Sequence, residues 1–262
     1  MRLDVYLVSH GFFASREQAK FNISKGNVIV NGKEVLKSAM QINSTDIVEL
    51  AVENVVPYVS RGGLKLEKAI REFQISCNNK TALDVGASTG GFTDCLLKHG
   101  AKMVCAVDVG TNQLDSSLRG NPNVYSIENI NIKDLNSEVL PVENFDIIVA
   151  DLSFISLTKV LEYFPQFLNQ QGIVIVLIKP QFEVGPELVG KGGIVKNPKV
   201  HSMAIENVAI AAHKYGLFIS QLTWSPIHDS TKNVEYLAFF SQQMVSLPKI
   251  EQIVSQAFAS KS

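Results

Sequence analysis

The chain has 262 residues, 46% of them hydrophobic and 19% charged, with a formal net charge of -1. This ordinary globular composition excludes wholesale disorder. The longest unbroken apolar run, 173–178, falls far short of the roughly 18 residues a spanning helix needs, and the early Asp4 argues against a secretory signal.

The charge is unevenly spread. Residues 1–45 carry six basic and three acidic side chains, a local +3, which leaves -4 for the remainder. That asymmetry marks the first segment as a separate unit. Ser15-Arg16-Glu17-Gln18 reads as a capping box, and the helix it opens should stop near Lys25-Gly26. Val28-Ile29-Val30, the turn pair Asn31-Gly32 and Lys33-Glu34-Val35-Leu36 then predict a two-residue hairpin. A basic helix beside a small hairpin, ending near Leu50, makes an α+β module. Leu3-Asp4, Ser15 to Ala19 and Val28 to Lys33 together resemble the S4 RNA-binding module. The resemblance implies that Arg2, Arg16, Lys20 and Lys25 face RNA phosphates. Phe21 stands where that pattern commonly has a basic residue, which predicts a weaker basic surface.

Pro57 blocks a helix in the connector, and Ser60 is the expected cap of the next helix, whose Leu66, Ala69, Ile70 and Phe73 recur at core-facing spacing. Beyond it, compact apolar runs at 82–85, 103–108, 146–151 and 173–178 alternate with helical stretches such as 91–99, 158–168 and 200–215, and strands are also expected at 218–223 and 234–240. Apolar runs separated by helices predict a parallel sheet covered on both faces. The Gly-rich stretch 180–198 is expected to form a loop over the site.

In such sheets ligands bind at the carboxyl ends of the strands. Asp84-Val85-Gly86-Ala87-Ser88-Thr89-Gly90-Gly91-Phe92-Thr93 follows the first strand of this region and opens a helix, and Asp108 closes the next strand 24 positions after Asp84. A strand-end carboxylate at that spacing suits ribose hydroxyls, so a nucleoside-bearing cofactor is expected. A dinucleotide site prefers a second glycine where Ser88 stands, and acidic Asp84 suits a cationic methionine moiety better than a phosphate. S-adenosylmethionine is therefore favoured over NAD, with Asp84, Gly86, Ser88, Gly90, Gly91, Phe92, Asp108 and Asp151 as its expected contacts. Glu128 and Asp134 read as loop charges.

Asp151 ends one apolar strand, Lys179 ends another, Glu235 lies within the apolar run 234–240 and Lys65 lies at the start of the helix after Ser60. A lysine directly after six apolar residues is costly to bury unless it is paired. Four such charges at one sheet edge suggest chemistry. Proton removal from a ribose 2′-hydroxyl fits them, with Lys179 as base, Asp151 holding it, and Lys65 and Glu235 orienting the ribose. Asp151-Leu152-Ser153-Phe154 shares the ends of the motif used on base amines but lacks its two prolines. Cys77, Cys95 and Cys105 stand at no strand end where a pyrimidine nucleophile is needed, show no Cys-x-x-Cys pair and suit a reducing cytosol. The five histidines form no ligand spacing, and His228-Asp229 reads as structural, so no metal is expected.

Tyr58 to Leu66, Asp84 to Thr93, Asp151 to Ser156, Ile178 to Glu183 and Asn233 to Tyr236 together resemble the TlyA family of S4-plus-FtsJ-like ribosomal RNA 2′-O-methyltransferases, also labelled haemolysins. The resemblance implies an α/β fold. Its Rossmann-like S-adenosylmethionine-dependent methyltransferase domain would have a seven-stranded, mostly parallel sheet with the last strand antiparallel, and the S4 domain would precede it. The implied layout is S4-like at 1–55, linker at 56–62, FtsJ-like methyltransferase at 63–250 and C-terminal tail at 251–262. The family's catalytic Lys-Asp-Lys-Glu set falls on Lys65, Asp151, Lys179 and Glu235. Arg61 joins the expected RNA contacts. The implied partner is ribosomal RNA or a ribosomal subunit in the cytoplasm, methylated at cytidine in 16S or 23S RNA, with an effect on capreomycin-type susceptibility. DNA and membranes are not expected partners, and oligomeric state is left open. The alternatives are a membrane-active cytolysin and an RNA-binding protein without catalysis. Because phosphate attraction is local, the near-zero total charge does not exclude RNA; it predicts few phosphate contacts and recognition of RNA shape.

Overall fold

The computed structural model describes residues 1–13, 15–43, 45–51, 56–136, 138–227 and 232–260. The expected His228-Asp229 loop lies outside them. At the N-terminus, α1 (Leu3–Ser9) and α2 (Arg16–Ser24) pack on a three-stranded sheet of β1 (Val28–Val30), β2 (Lys33–Glu34) and β3 (Val48–Leu50), with β1 in the centre. Ser15 Oγ accepts from the Gln18 backbone N–H at 3.2 Å, the predicted cap. Ile29 pairs with Glu34 and Val30 with Lys33 around Asn31-Gly32. Both turn residues have positive φ, 51° and 74°, as a two-residue turn of this hand requires. Leu3, Leu7, Ala19, Ile23 and Val28 form this module's own fully buried core.

The larger region is a seven-stranded sheet in the order β6-β5-β4-β7-β8-β10-β9. Its strands are β4 (Thr81–Val85), β5 (Met103–Val107), β6 (Val124–Ile127), β7 (Phe145–Ala150), β8 (Leu168–Ile178), β9 (Phe218–Trp224) and β10 (Tyr236–Ser241). Only β10, the last in sequence, runs antiparallel to its neighbours, β8 and β9. Alternate residues of single strands fall into two different cores. Ile148, Ala150, Val174 and Val176 point to the face that α7 (Pro198–His213) and α8 (Ile250–Ala259) cover. Ile147, Val149, Ile175 and Leu177 point to the face of α3 (Gly62–Glu72) and α4 (Gly91–Lys98). Burial on both faces is why these strands read as continuous apolar runs.

Two local expectations are corrected, and two elements carried no sequence expectation. Ser60 does not cap α3: Arg61 holds the N-cap position, no side chain caps it, and Ser60 Oγ instead lies against Gly91. Residues 158–168 form no α-helix; three short 3-10 turns run over 157–167, broken by Pro165. The edge strand β6 was not anticipated. The stretch after 250 folds as α8 and buries Ile250, Val254 and Ala257.

The two regions touch through the connector. Gln18 Nε2 donates to the Tyr58 carbonyl at 3.0 Å, the Arg61 guanidinium sits 5.1 Å from the Phe21 ring centroid, and Phe21 packs against the α3–α4 core. Phe21 thus trades a basic surface group for an anchor to the second region.

Candidate active site

The turn from β4 into α4 shapes one wall of a cavity of about 780 Å³. Gly86 sits at φ 80°, and a Cβ there would press on Leu152. The backbone N–H groups of Gly86 and Ala87 both donate to the Val107 carbonyl, tying the turn to β5. Asp84 is 1% exposed; its Oδ2 accepts from Thr93 Oγ1 at 2.6 Å, while Oδ1 is buried without a partner among the described residues. Burial pushes this carboxyl up to about 7. An orphaned buried carboxylate oxygen at a cavity wall fits a cationic ligand group. Gly86, Ser88, Gly91, Phe92 and Asp151 share that cavity with Asp84.

Two expected cofactor residues sit outside the cavity wall. Gly90 lets the turn close over Leu114 and Leu118, which a Cβ would strike. Asp108 accepts from the backbone N–H groups of Ser88 and Gly110, each at 2.7 Å, so its observed partners are the chain itself. Glu128 likewise fixes a loop, accepting from the Asn112 N–H at 2.7 Å.

On the other side the four predicted charges meet. Tyr236 pairs with Ile178, which brings Glu235 and Lys179 to the same level of adjacent strands. Lys179 Nζ lies 2.6 Å from Asp151 Oδ1, and Lys65 Nζ lies 3.3 Å from Asp151 Oδ2 and 2.8 Å from Glu235 Oε2. The lysine side chains are only 14% (Lys65) and 9% (Lys179) exposed. Burial alone would lower the Lys65 ammonium, but Asp151 and Glu235 outweigh it and hold it above its ordinary value. Burial likewise works against the Asp151 carboxylate, and the two lysines overcome it, leaving its pKa below the usual range.

Further groups complete the site that sequence reasoning gave no role. Lys179 Nζ also donates to Ser153 Oγ at 2.8 Å. Glu183, raised by burial, accepts from Ser156 Oγ at 2.6 Å and the Leu157 N–H at 3.0 Å, clamping the loop after β7. That clamped loop carries Phe154 at φ 64°, 93% exposed, tilted against Phe182 at 5.4 Å between centroids. A large aromatic in a strained backbone beside a cavity is a feature to explain by ligand contact. Its signal was present in Asp151-Leu152-Ser153-Phe154, whose aromatic end matches the base-stacking position of the amine motif. Asn233 hangs the Gly-rich loop over the cavity, donating to the Gly193 carbonyl at 2.7 Å and accepting from the Val195 N–H at 2.8 Å.

In the N-terminal module, Arg2 and Arg16 both pair with fully buried Asp4, each at 2.9 Å, and hold its carboxyl well below the usual range. The strongest of these contacts is the Arg2 hydrogen bond. Both guanidiniums stay exposed, as do Lys20 and Lys25. Arg61 lies at the cavity rim. All three cysteines are buried free thiols whose pKa values burial raises, and no metal-holding cluster exists among the described residues.

The fold and site define a two-part protein, a Rossmann-like methyltransferase domain behind a small S4 domain. Residues 58–242 match the FtsJ-like methyltransferase family and residues 1–48 match the S4 domain. The chain is 48% identical over 240 residues to hemolysin A of Brachyspira hyodysenteriae, covering 92% of this chain and 99% of that protein. It is 37% identical over 261 residues to the 16S/23S rRNA (cytidine-2′-O)-methyltransferase TlyA of Mycobacterium tuberculosis, covering 98% and 97%. A solved hemolysin-named structure from Streptococcus thermophilus superposes with a TM-score of 0.77 at 38% identity, covering 99% of this chain and 96% of that one. An S-adenosylmethionine-dependent methyltransferase from Mesorhizobium loti, 15% identical with a TM-score of 0.52 over 70% of this chain and 100% of that one, shares the fold. The chain belongs to the TlyA family of S4-plus-FtsJ-like methyltransferases.

Proposed function

We propose that this protein transfers a methyl group from S-adenosylmethionine to the ribose 2′-hydroxyl of a cytidine in ribosomal RNA, in the cytoplasm. The observation that carries this reading is the ion-paired net of Lys65, Asp151, Lys179 and Glu235 at the strand ends. A ribose hydroxyl is a weak nucleophile that must lose its proton as it attacks. Bound S-adenosylmethionine supplies an electrophilic methyl group on a sulfonium.

Lys179, once its ammonium has released a proton to solvent, offers a free-amine Nζ that receives the hydroxyl proton, and Asp151 and Ser153 fix the position of that nitrogen. Lys65, braced by Asp151 and Glu235, offers an ammonium donor and Glu235 an acceptor to the ribose, so the nucleophile arrives oriented. Ionised Asp84 would hold the α-ammonium of the cofactor's amino-acid end, and Gly86, Ser88, Gly91 and Phe92 would wall its pocket. Gly90 shapes the turn from behind. Asp108 keeps lone pairs at the next strand end for the adenosine ribose. Phe154 offers an open face on which a splayed-out base can stack.

Arg2, Arg16, Lys20, Lys25 and Arg61 take RNA phosphates. The buried cysteines and the missing prolines in Asp151 to Phe154 speak for a ribose target over a base target. The name of the Brachyspira relative raises a membrane-damaging activity, but no helix among the described residues is long and apolar enough to cross a membrane.

The test is to map 2′-O-methyl groups in ribosomal RNA from cells with and without the gene. Purified protein would be assayed alongside on ribosomal particles and lipid vesicles with labelled cofactor. The reading predicts a cytidine ribose methyl group that vanishes with the gene, and label in RNA; identical maps with vesicle leakage would overturn it.

A further inference from the structure

Gln181 stands in the one-turn helix α6 (Pro180–Glu183), two residues after Lys179. It is half-buried and lines both the main cavity and a smaller neighbour of about 530 Å³. Its Oε1 is enclosed and accepts no hydrogen bond from any of the described residues. A buried carbonyl without a donor is costly, and native proteins rarely leave one unexplained. The polar groups around it are satisfied: Glu183 accepts from Ser156 and Leu157, and Lys179 is paired with Asp151 and Ser153. Among the described residues, then, the Gln181 carbonyl has no donor, while Phe154 and Phe182 border the same two cavities.

We infer that Gln181 is a specificity-determining residue that pairs with the Watson–Crick edge of the target base, its side-chain carbonyl accepting from the 4-amino group of cytosine. The inference rests on the ribose-methylation reading and adds the residue that reads the base. The terminal torsion of a glutamine side chain is broad, so the carbonyl turns toward a ligand at low cost. A base stacked on Phe154 presents a planar edge, and a planar amide matches it with an acceptor for the amine and a donor for the ring N3. The amide neither gains nor loses a proton in the reaction, so Gln181 acts in recognition and leaves the chemistry to Lys179.

The test uses the full-length protein and an RNA substrate containing the mapped target. Gln181→Met, which keeps the length of the side chain and removes its polar atoms, should lower kcat/KM roughly tenfold to a hundredfold. Gln181→Glu, which keeps the acceptor for the amine but sets a second acceptor against the ring N3, should also lose activity, though less than Gln181→Met. Calorimetric affinity for S-adenosylmethionine and the melting temperature should be unchanged in both. Replacing the target cytidine by pyrimidin-2-one riboside, which lacks only the 4-amino group, should cost the wild type the same factor and Gln181→Met nothing more. Additive losses in that pairing, or full activity of Gln181→Met, would overturn the inference. Failure of the wild type to methylate RNA would instead defeat the ribose-methylation reading.

Discussion

Two carboxylates in this molecule are each gripped by two cations, and the difference between them separates binding from chemistry. Asp4, fully buried, pairs with Arg2 and Arg16, whose side chains are 43% and 49% exposed. Asp151 pairs with Lys65 and Lys179, which are 14% and 9% exposed and line the cavity. Guanidiniums do not deprotonate and carry five donors, so Asp4 can occupy some of them and leave the rest aimed outward at phosphates. Lysines can exchange a proton, and only they are enclosed where a reacting hydroxyl can be shielded from water. On the proposed reading, the same ionic device presents charge to RNA in one region and positions a base in the other.

The largest effect expected from breaking this contrast comes from Asp151→Asn. Loss of the charge that positions Lys179 should lower kcat by on the order of 10²–10⁴, with RNA affinity within about twofold. It should also cost the fold about 3 kcal/mol, because buried Lys179 loses its counter-ion while Lys65 keeps only Glu235, and thermal unfolding would read this.

Asp84→Asn comes next. Folded Asp84 titrates near 7 against an ordinary 3.8, so between those values the folded chain holds a proton that the unfolded chain has released. This group stabilises the ligand-free protein at acid pH, and its contribution fades as pH rises through that window. Cofactor affinity should move oppositely, rising through pH 7 as the ionised carboxylate meets a cation. The Asn variant should lose both slopes and bind S-adenosylmethionine at least tenfold more weakly, as calorimetry across pH would measure.

Asp4→Asn is the converse of Asp151→Asn. With Arg2 and Arg16 no longer held, RNA affinity should fall about tenfold while kcat at saturating RNA is unchanged; each lost charge-assisted bond accounts for on the order of 1.5 kcal/mol or more. Filter binding and steady-state kinetics separate the two. Phe21→Ala should have a smaller effect, removing a contact to Arg61 of about 0.5–1 kcal/mol and loosening the connector, which hydrogen exchange at residues 58–62 would register. The smallest effect is on salt: with few phosphate contacts, RNA affinity should fall only shallowly as salt rises.

Much of this contrast was legible in the sequence. Asn31-Gly32 between Val28-Ile29-Val30 and Lys33-Glu34-Val35-Leu36 could form little but a tight hairpin, and the apolar runs that carry Asp84, Asp108, Asp151 and Lys179 near their ends announced strand ends. The Lys65–Glu235 pairing was legible as residue types, but its 2.8 Å contact depends on the β10–β8 register, which no local pattern encodes. Misreadings had local causes. Val124-Tyr125-Ser126-Ile127 is a short edge strand with half its residues exposed, so no apolar run marks it. Residues 158–168 have helical spacing, but Pro165 and tight packing give 3-10 turns. Ser60 has the chemistry of a cap, yet close approach of the connector to Gly91 claims its hydroxyl. Phe21 looked like a weakened RNA surface until its partner, Arg61, came from 40 positions away. Gln181 carries no sequence signal, because an orphaned carbonyl is defined only by what the fold fails to bring near it.

The central claim is that Lys179 takes the proton of a ribose 2′-hydroxyl. Its most direct measurement is alkaline hydrolysis of ribosomal RNA treated with the wild type and with Lys179→Ala, both loaded with cofactor, since a 2′-O-methyl group protects the adjacent phosphodiester. The account predicts one protected linkage at a cytidine with the wild type and none with a variant that still binds S-adenosylmethionine. Protection by Lys179→Ala at the wild-type rate, or a methyl group on a base atom with no protected linkage, would contradict it.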